Sequence, residues 1–345
     1  MFNFACDYTE GCAPEILEAL TRTNMEQTAG YGEDAYCQHA RELIKTACGC
    51  PEAEVHFFIG GTQANLNIIL NCLDRPYYGL FATTASHVNT HEAGAIERTG
   101  HKVITIPSVN DKLTAAEVEK AYQHWLIDPS RTHIVEPKLV YISQPTESGT
   151  MYSKKELTDL YAVCQKHDLY LFVDGARLGY GLCAPDNDVS LKDLARLCDV
   201  FYIGGTKCGA LLGEAAVLLN PQIKKGFFTL MKQGGAVLAK GRVVGLQFET
   251  LFTGNLYQKI CQNGMDAALK IKAALLQKKL PLYIDSPSNQ QFPILSKAAY
   301  EKLSREFELG VWAYLDDGRL VVRICTSWAT RPEAVTAMIK AIEAL

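Results

Sequence analysis

An acid and an amine each follow a short apolar segment of this chain. Asp174 comes directly after residues 171–173 (Leu-Phe-Val), and Lys207 follows residues 201–203 (Phe-Tyr-Ile) across a Gly-Gly-Thr turn. Each apolar run predicts a short buried strand. Because ligands of a parallel sheet bind at the carboxyl ends of its strands, we expect the carboxylate and the amine to meet at one edge.

These two groups are the ones that pyridoxal 5'-phosphate requires of a protein. The amine of Lys207 would form a covalent Schiff base with the aldehyde of the cofactor, and the carboxylate of Asp174 would keep its pyridine nitrogen protonated. Apolar neighbours lower the pKa of a lysine and so favour this bond. Taken singly, the lysine has an ordinary surface position as its alternative, and the aspartate has a helix N-cap.

A glycine turn ahead of a helical run offers a place for the phosphate of this cofactor. Gly60 and Gly61 precede Thr62, and the helical run follows. Free N–H groups at a helix N-terminus bind phosphate, although a glycine turn in this position is common and weak as a signal. The absence of Gly-Lys-Ser/Thr and of a G-x-G-x-x-G pattern argues against a Walker A loop and a dinucleotide fingerprint.

Two histidines lie four residues apart, at His87 and His91, with Glu92 next to the second. This spacing would allow both imidazoles to hold a metal from one helix face. A third ligand is not evident, however, and the segment is not H-E-x-x-H. We therefore interpret His87 as a ring that stacks on the cofactor and His91 as a structural residue, and we predict no metal.

Two arginines have positions that suit anion binding. Arg177 follows Asp174 by three residues, so it would reach the ring oxygen of the same cofactor; a surface or capping position is its alternative. Arg323 lies inside an apolar run, residues 320–325, and an arginine there needs a buried anion. The anion is either an internal carboxylate or the carboxylate of an amino-acid substrate, which a planar guanidinium binds through two hydrogen bonds.

Composition excludes several classes of function. The net charge is −4 and no basic stripe is present, which argues against a nucleic-acid partner. The 12 cysteines are scattered and form no C-x-x-C pair, so neither a disulfide scaffold nor a zinc ribbon is expected. No apolar run has the length of a membrane span, and no signal peptide is evident. We interpret the protein as cytoplasmic, with a small molecule as its partner.

The order of predicted elements indicates an α/β fold. Strands are predicted at residues 55–59, 79–83, 102–106, 139–143, 169–173, 200–203 and 215–219. Helices separate several of them, among them residues 90–99 and 154–167, so the central sheet is expected to be mainly parallel with helices on both faces.

The pattern changes near residue 240. A long helical run over residues 243–278 precedes short strands and two helices, which indicates a small α+β C-terminal domain. We expect a large cofactor-binding domain over residues 15–240 and a small domain over residues 241–345, joined by the N-terminal segment 1–14.

Several short segments, spread over most of the chain, match the motifs of one known family. They are Cys6-Asp7-Tyr8-Thr9, Gly30-Tyr31-Gly32-Glu33-Asp34, Gly61-Thr62-Gln63-Ala64-Asn65, Ser86-His87, Glu92-Ala93-Gly94, Val173-Asp174-Gly175-Ala176-Arg177, the Lys207 segment, Val322-Arg323 and Thr326-Ser327-Trp328. In these segments the chain resembles the low-specificity threonine aldolases of the β-eliminating lyase superfamily, which are fold-type I pyridoxal phosphate enzymes. The aspartate segment and the Gly-Thr-Gln-Ala-Asn segment are together quite specific.

The resemblance implies a role for each matching residue. Lys207 would carry the cofactor, Asp174 and Arg177 would contact its ring, and His87 would stack on it. Gly61 and Thr62 would hold the phosphate, and Lys232 would reach it from a neighbouring subunit. Arg323 would bind the substrate carboxylate, with Cys6 and Tyr31 close to the substrate. The resemblance also implies a homotetramer or homodimer whose sites are shared between subunits.

The implied activity is retro-aldol cleavage of a β-hydroxy-α-amino acid, of the threonine or allo-threonine type, to glycine and an aldehyde. Two positions depart from the family pattern. Cys6 stands where serine is usual, and Glu147 stands near the position of a histidine that follows the strand equivalent to residues 139–143. Glu147, His87 or a bound water would then take the proton of the β-hydroxyl group. β-Elimination and transamination on another small amino acid remain the alternatives, because they use the same cofactor residues.

Overall fold

The computed structural model describes all 345 residues. The strands are β1 (Phe2–Asn3), β2 (Glu54–Phe58), β3 (Tyr78–Thr83), β4 (Lys102–Ile106), β5 (Glu136–Ser143), β6 (Tyr170–Asp174), β7 (Val200–Gly204), β8 (Glu214–Leu218), β9 (Gln290–Gln291), β10 (Ile294–Leu295), β11 (Phe307–Glu308), β12 (Gly310–Tyr314) and β13 (Leu320–Cys325). The α-helices are α1 (Pro14–Thr23), α2 (Ala35–Cys48), α3 (Gly61–Cys72), α4 (His87–Thr90), α5 (Ala115–Ile127), α6 (Lys154–Lys166), α7 (Leu178–Leu182), α8 (Leu191–Leu197), α9 (Pro221–Lys224), α10 (Phe227–Gln233), α11 (Arg242–Phe252), α12 (Leu256–Gln277), α13 (Lys297–Leu303) and α14 (Pro332–Glu343). Short 3-10 turns cover Glu97–Thr99, Arg131–His133 and Thr253–Asn255. None of the helices combines the length and the apolar character that crossing a membrane requires.

A seven-stranded sheet forms the centre of the fold, in the order β2-β8-β7-β6-β5-β3-β4. The five strands from β3 to β7 all run parallel to their neighbours in the sheet, except where β7 meets β8. β8 runs antiparallel to both of its neighbours, β7 and β2. Every residue of β7 and β8 is buried, as expected for strands covered by helices on both faces. The predicted α/β class with a mainly parallel sheet is confirmed. The parallel strands end on one side of the sheet, at Thr83, Ser143, Asp174 and Gly204.

Two predicted helices are interrupted in the structure. Residues 90–99 do not form one helix, because Ala93 and Gly94 have positive φ angles of 51° and 73° and separate α4 from the turn Glu97–Thr99. The predicted run 243–278 is divided into α11 and α12, because Gly254 and Asn255 have φ angles of 60° and 61°. A left-handed residue ends an α-helix, and the hydrophobic periodicity of a sequence does not reveal it.

The C-terminal third of the chain packs around a second, smaller set of strands. β10, β13 and β12 form one antiparallel sheet, β9 pairs with β13, and β1 pairs in parallel with β11. A separate hydrophobic cluster fills this region and includes Phe4 from the N-terminus. α12 contributes to both parts, since Met265 lies in the core of the large sheet and Ile271 in the smaller cluster. The division into residues 15–240 and 241–345 stays a prediction.

Close backbone packing at the end of β6 leads to a first testable prediction. A Cβ atom at Gly175 would overlap the carbonyl group of Tyr202 on the neighbouring strand. We expect Gly175→Ala to reduce the free energy of unfolding by at least about 2 kcal/mol, since overlap with backbone cannot be relieved by a rotamer change. Gly11→Ala is the matched control, because nothing lies within 4 Å of its Cβ position. Urea unfolding followed by circular dichroism measures both; equal stability of the two variants would contradict the expectation.

Candidate active site

A cavity of about 330 Å³ lies at the carboxyl ends of the parallel strands. Its walls include seven of the predicted site residues: Gly61, Thr62, His87, Glu147, Asp174, Arg177 and Lys207. Tyr8, His91, Ser143, Tyr202, Thr206 and Glu214 complete most of the polar lining. A larger groove of about 500 Å³ lies elsewhere, beside Leu43 and Leu251, and it contains none of the predicted residues. The chemistry that the sequence predicts is therefore concentrated in the smaller cavity.

Asp174 is held as a buried carboxylate by four hydrogen bonds. Its Oδ1 accepts from the hydroxyl of Tyr202 at 2.5 Å and from the N–H of Ala176 at 2.9 Å. Its Oδ2 accepts from the hydroxyl of Tyr141 at 2.5 Å and from the amide of Asn65 at 3.0 Å. Burial alone would raise the pKa of Asp174, but the charge of His87 and these donors outweigh it and hold the pKa below its usual value.

This arrangement excludes the helix-cap alternative for Asp174. The helix that follows, α7, begins at Leu178 and has Arg177 at its N-cap position. The three side-chain donors, Tyr141, Tyr202 and Asn65, are residues that the sequence reasoning did not select. A signal was present for two of them, because a tyrosine in the middle of an otherwise apolar buried strand needs a partner for its hydroxyl group.

A second carboxylate holds His87. The Nδ1 atom of His87 lies 2.9 Å from Oε1 of Glu92, which also accepts from the amide of Asn65 at 2.8 Å. Burial lowers the pKa of His87, but the hydrogen bond to Glu92 and the charge of Asp174 outweigh it, so the pKa is raised. Asn65 thus connects the two carboxylates, and the imidazole of His87 is fixed in the wall of the cavity.

Lys207 lies on the loop that joins β7 to β8, and its carbonyl accepts a 2.6 Å hydrogen bond from the hydroxyl of Tyr180. The ends of this loop are tied together, because the N–H groups of Gly205 and Thr206 both donate to the carbonyl of Gly213 at 3.0 Å. Burial and the charge of Arg177 lower the pKa of the lysine amine. A lowered pKa increases the fraction of neutral amine, the form that attacks a carbonyl group.

Arg177 forms a two-point ion pair that was not foreseen. Its Nε and Nη2 atoms donate to the two oxygens of Asp7 at 2.7 and 3.0 Å, and the amide of Asn289 donates to Asp7 at 3.0 Å. Burial raises the pKa of Asp7, but the charges of Arg177 and Lys207 and these hydrogen bonds lower it below its usual value. The N-terminal segment therefore positions Arg177 in the cavity wall.

The phosphate-binding prediction falls on the start of α3. This helix begins at Gly61 and has Gly60 at its N-cap, with no side chain capping it. Gly60, Gly61 and Thr62 line the cavity, and the free N–H groups of a first helical turn are the groups that bind phosphate.

Glu147 lies beside His87. Its Oε1 accepts from the backbone N–H of His87 and from the hydroxyl of Ser143, both at 2.8 Å. Burial raises its pKa above the usual value, although the hydrogen bond from Ser143 acts in the opposite direction. The carboxyl group of Glu147 therefore lies in the cavity and takes up a proton at a higher pH than an ordinary glutamate does.

Four predicted residues are not part of the cavity wall in this chain: Cys6, Tyr31, Lys232 and Arg323. Arg323 donates through Nε and Nη2 to the carbonyl of Ala5 at 3.1 and 2.7 Å, and its guanidinium lies 5.9 Å from the ring of Trp312. It has no internal carboxylate partner, so the ion-pair alternative fails. Lys232 and Tyr31 lie together, with the ammonium 4.6 Å from the centre of the ring.

Comparisons with known proteins extend this result. Residues 3–286 match the family described as beta-eliminating lyases. The chain is 28% identical to a low specificity L-threonine aldolase of a Pseudomonas strain, over 99% of this chain and 97% of that protein. Its structure is similar to that of a threonine aldolase of Leishmania major, with 43% identity, a TM-score of 0.97 and coverage of 100% and 99% of the two chains.

The chain belongs to the β-eliminating lyase family. The family match confirms the resemblance that the sequence motifs predicted. An aspartate aminotransferase of Thermus thermophilus has 16% identity to the chain and a TM-score of 0.73, over 100% of this chain and 92% of that one; it shares the fold alone.

The donor set of the cavity fits pyridoxal 5'-phosphate. An amine with a lowered pKa, a buried ionised carboxylate, a fixed imidazole and an uncapped helix N-terminus line one cavity. The carboxylate of Asp174 makes hydrogen bonds to two phenols and an amide but no ion pair, so a pyridinium is a suitable cation for it.

The ion pair of Asp7 and Arg177 leads to a pH-dependent prediction. We expect Asp7→Asn to reduce stability at neutral pH by about 3–5 kcal/mol, because the buried arginine loses its counter-ion. The pKa of Asp7 is lower in the folded protein than in the unfolded chain, where it is about 4. The contribution of Asp7 to the free energy of unfolding is therefore complete above about pH 4 and is lost as the pH falls through the pKa of the folded state. The difference in the free energy of unfolding between the wild type and Asp7→Asn should therefore become smaller as the solution is made acidic.

Urea unfolding from pH 7 down to pH 3 measures this difference. Asp317→Asn is the control, because Asp317 pairs with Arg319 on the exposed surface and exposed pairs contribute little. A stability difference for Asp7→Asn that stays constant down to pH 3 would show that the ion pair does not carry the effect.

Proposed function

We propose that the protein cleaves a β-hydroxy-α-amino acid of the threonine or allo-threonine type to glycine and an aldehyde, with pyridoxal 5'-phosphate bound covalently through Lys207. The observation that carries the proposal is the joint placement of Lys207 and Asp174 in one cavity at the sheet edge. The curated relatives that match nearly the whole chain are named low specificity L-threonine aldolases, which supports this reaction over others on the same cofactor.

Each residue of the cavity has a proposed task in holding the cofactor. The amine of Lys207 would bind its aldehyde, and the carboxylate of Asp174, kept ionised by its hydrogen-bond donors, would pair with the pyridine nitrogen. His87 would stack on the ring, and Arg177 would contact the ring oxygen. When bound, the cofactor supplies an electron sink for the pair of electrons released at the α-carbon.

The substrate is held by the region around Arg323. Two of its N–H groups are used by the carbonyl of Ala5, which fixes the direction of the guanidinium. We propose that its remaining N–H groups bind the substrate carboxylate, with Cys6 and Tyr31 contributing to the same end of the site. A fixed carboxylate orients the bond between the α- and β-carbons, which is the bond that breaks.

A base must remove the proton of the β-hydroxyl group as that bond breaks. We propose Glu147, which is fixed by the N–H of His87 and the hydroxyl of Ser143. His87 and a bound water are the other candidates, since both would lie within reach of the same hydroxyl group. After cleavage the aldehyde leaves, and a proton returns to the α-carbon to complete glycine.

We further propose a cytoplasmic homotetramer or homodimer with sites shared between subunits. Tyr31 is 51% exposed and lies beside Lys232, outside the cavity of its own chain. In an assembly Lys232 would supply a positive charge to the phosphate of a neighbouring subunit, and Tyr31 would reach the substrate of that subunit. All 12 cysteines are free thiols, which suits a reducing compartment.

The decisive experiment measures acetaldehyde and glycine released from L-threonine and L-allo-threonine by protein loaded with pyridoxal 5'-phosphate. We expect release of both products, and we expect Lys207→Ala to abolish it together with the visible absorbance of the bound cofactor. Lys192→Ala, on α8, is the control and should keep both. Pyruvate release from serine in place of glycine from threonine would favour β-elimination, and wild-type turnover by Lys207→Ala would contradict the assignment.

The role of Glu147 is tested by Glu147→Gln, which keeps the shape of the side chain and removes its charge. We expect kcat to fall by about 10²–10⁴-fold with a smaller change in KM. The pKa of Glu147 is raised, so the wild-type rate should decline with falling pH before an ordinary glutamate would be protonated, and the variant should lose this acidic limb. Glu97→Gln, at a surface turn, is the control; an unchanged kcat in Glu147→Gln would assign the base to His87 or water.

A further inference from the structure

One histidine of the cavity wall has no task in the proposed reaction. His91 lines the cavity four residues after His87. The Nδ1 atom of His87 is bound to Glu92, whereas the imidazole of His91 has no hydrogen-bond or ion-pair partner in the chain. The sequence pattern favours a structural role for His91, but a polar ring that lines a binding cavity with both nitrogens free is available to a ligand.

The imidazole of His91 belongs to a well-held segment. The backbone N–H of His91 donates to the carbonyl of His87 at 2.8 Å, and the two rings lie edge to face, with their centres 5.7 Å apart. The next residue, Glu92, is 6% exposed, and Ala93 has a positive φ angle of 51°, so the chain turns directly after the histidine. His91 is therefore fixed in the wall, next to the ring that would stack on the cofactor.

His91 lies on the side of the cavity towards Arg323. Burial lowers the pKa of His91, and the positive charges of His87 and Arg323 lower it further. Tyr8 also lines the cavity; burial raises the pKa of its phenol, and the charges of Arg323 and Arg177 oppose this rise. Charges act on each other strongly only at short range, so the region next to His91 connects the cavity to Arg323.

A substrate bound as proposed would extend through this region. Its amino group would be at Lys207 and its carboxylate at Arg323, so its α-carbon would lie between the two. The β-carbon and the rest of the side chain would then lie against the wall that contains His91. The cavity of about 330 Å³ has to hold the cofactor as well, so little room remains for a large side chain.

We propose that His91 is a specificity-determining residue, whose imidazole lies against the substrate side chain beyond the β-carbon and restricts it to a small group such as methyl. A large aromatic group at the β-carbon would collide with the fixed ring. The inference rests on the proposed function and deepens it, because it narrows the substrate class to β-hydroxy-α-amino acids with a small β-substituent.

Two other roles of His91 have to be separated from this one. As a structural residue, His91 would support the ring of His87, and its removal would weaken the binding of every amino acid alike. As a partner of the substrate carboxylate, it would also affect every amino acid. Glycine distinguishes these roles from the proposal, because it has an amino group and a carboxylate but no β-carbon.

The test measures the affinities of glycine, L-alanine and L-phenylalanine for the protein loaded with pyridoxal 5'-phosphate, by isothermal titration calorimetry. None of the three has a β-hydroxyl group, so none undergoes the proposed cleavage. In His91→Ala we expect the Kd of L-phenylalanine to fall by at least about tenfold, because the wall no longer excludes the phenyl group. The Kd of glycine should change by less than about twofold. His124→Ala, at an exposed position of α5, is the control and should change neither.

The same change should appear in the cleavage assay. We expect the ratio of kcat/KM for L-threo-β-phenylserine to kcat/KM for L-threonine to rise by at least about tenfold in His91→Ala. Should His91→Ala fail to fold, His91→Asn provides a smaller polar side chain at the same position, and both ratios should move in the same direction.

An unchanged ratio of the Kd values of L-phenylalanine and glycine would overturn the proposal. An equal loss of affinity for all three amino acids would also overturn it and would assign a structural or carboxylate-binding role to His91. The calorimetric measurement involves no cleavage. A protein that releases no glycine from threonine but shows the expected pattern of affinities would therefore contradict the proposed function and support the role of His91.

Discussion

The ionised state of the buried Asp174 is the constraint on which the rest of the site depends. A carboxylate at 4% exposure stays charged only where donors replace the water that it has lost. Two tyrosines on the flanking strands and an asparagine on α3 supply these donors. The ionised state of Asp174 therefore depends on the strand order β7-β6-β5, because this order places Tyr202 and Tyr141 on the two sides of Asp174.

A second set of contacts extends from the N-terminal segment. Asp7 binds Arg177 in the cavity wall, and the carbonyl of Ala5 holds Arg323 on β13. The same segment joins the smaller sheet, since Phe4 donates to Glu308 and accepts from Cys325 at 2.8 Å. One extended stretch of chain therefore sets the direction of both arginines and links them to the packing of the C-terminal region.

Electrostatic balance explains why so many ionisable groups can share one cavity. The charges of Asp7 and Arg177 compensate each other, and His87 is paired with Glu92. Asp174 is left with neutral donors, and the side-chain amine of Lys207 forms no ion pair. This division leaves one carboxylate free for a cationic ring and one amine free for a carbonyl group, which are the two requirements of the proposed cofactor.

The sequence alone determined the strands, because continuous apolar runs bounded by glycine and charged residues have few other structures available. It also selected Lys207, Asp174, His87 and the turn at Gly61, whose residue types follow strand ends. Tertiary structure decided what surrounds them. The partners of Asp174 are separated from it by 109, 33 and 28 residues, and Asp7 lies 170 residues from Arg177. Contacts of this range depend on strand order and on loop conformations such as the left-handed residues Ala93 and Asn255, which hydrophobic periodicity does not encode.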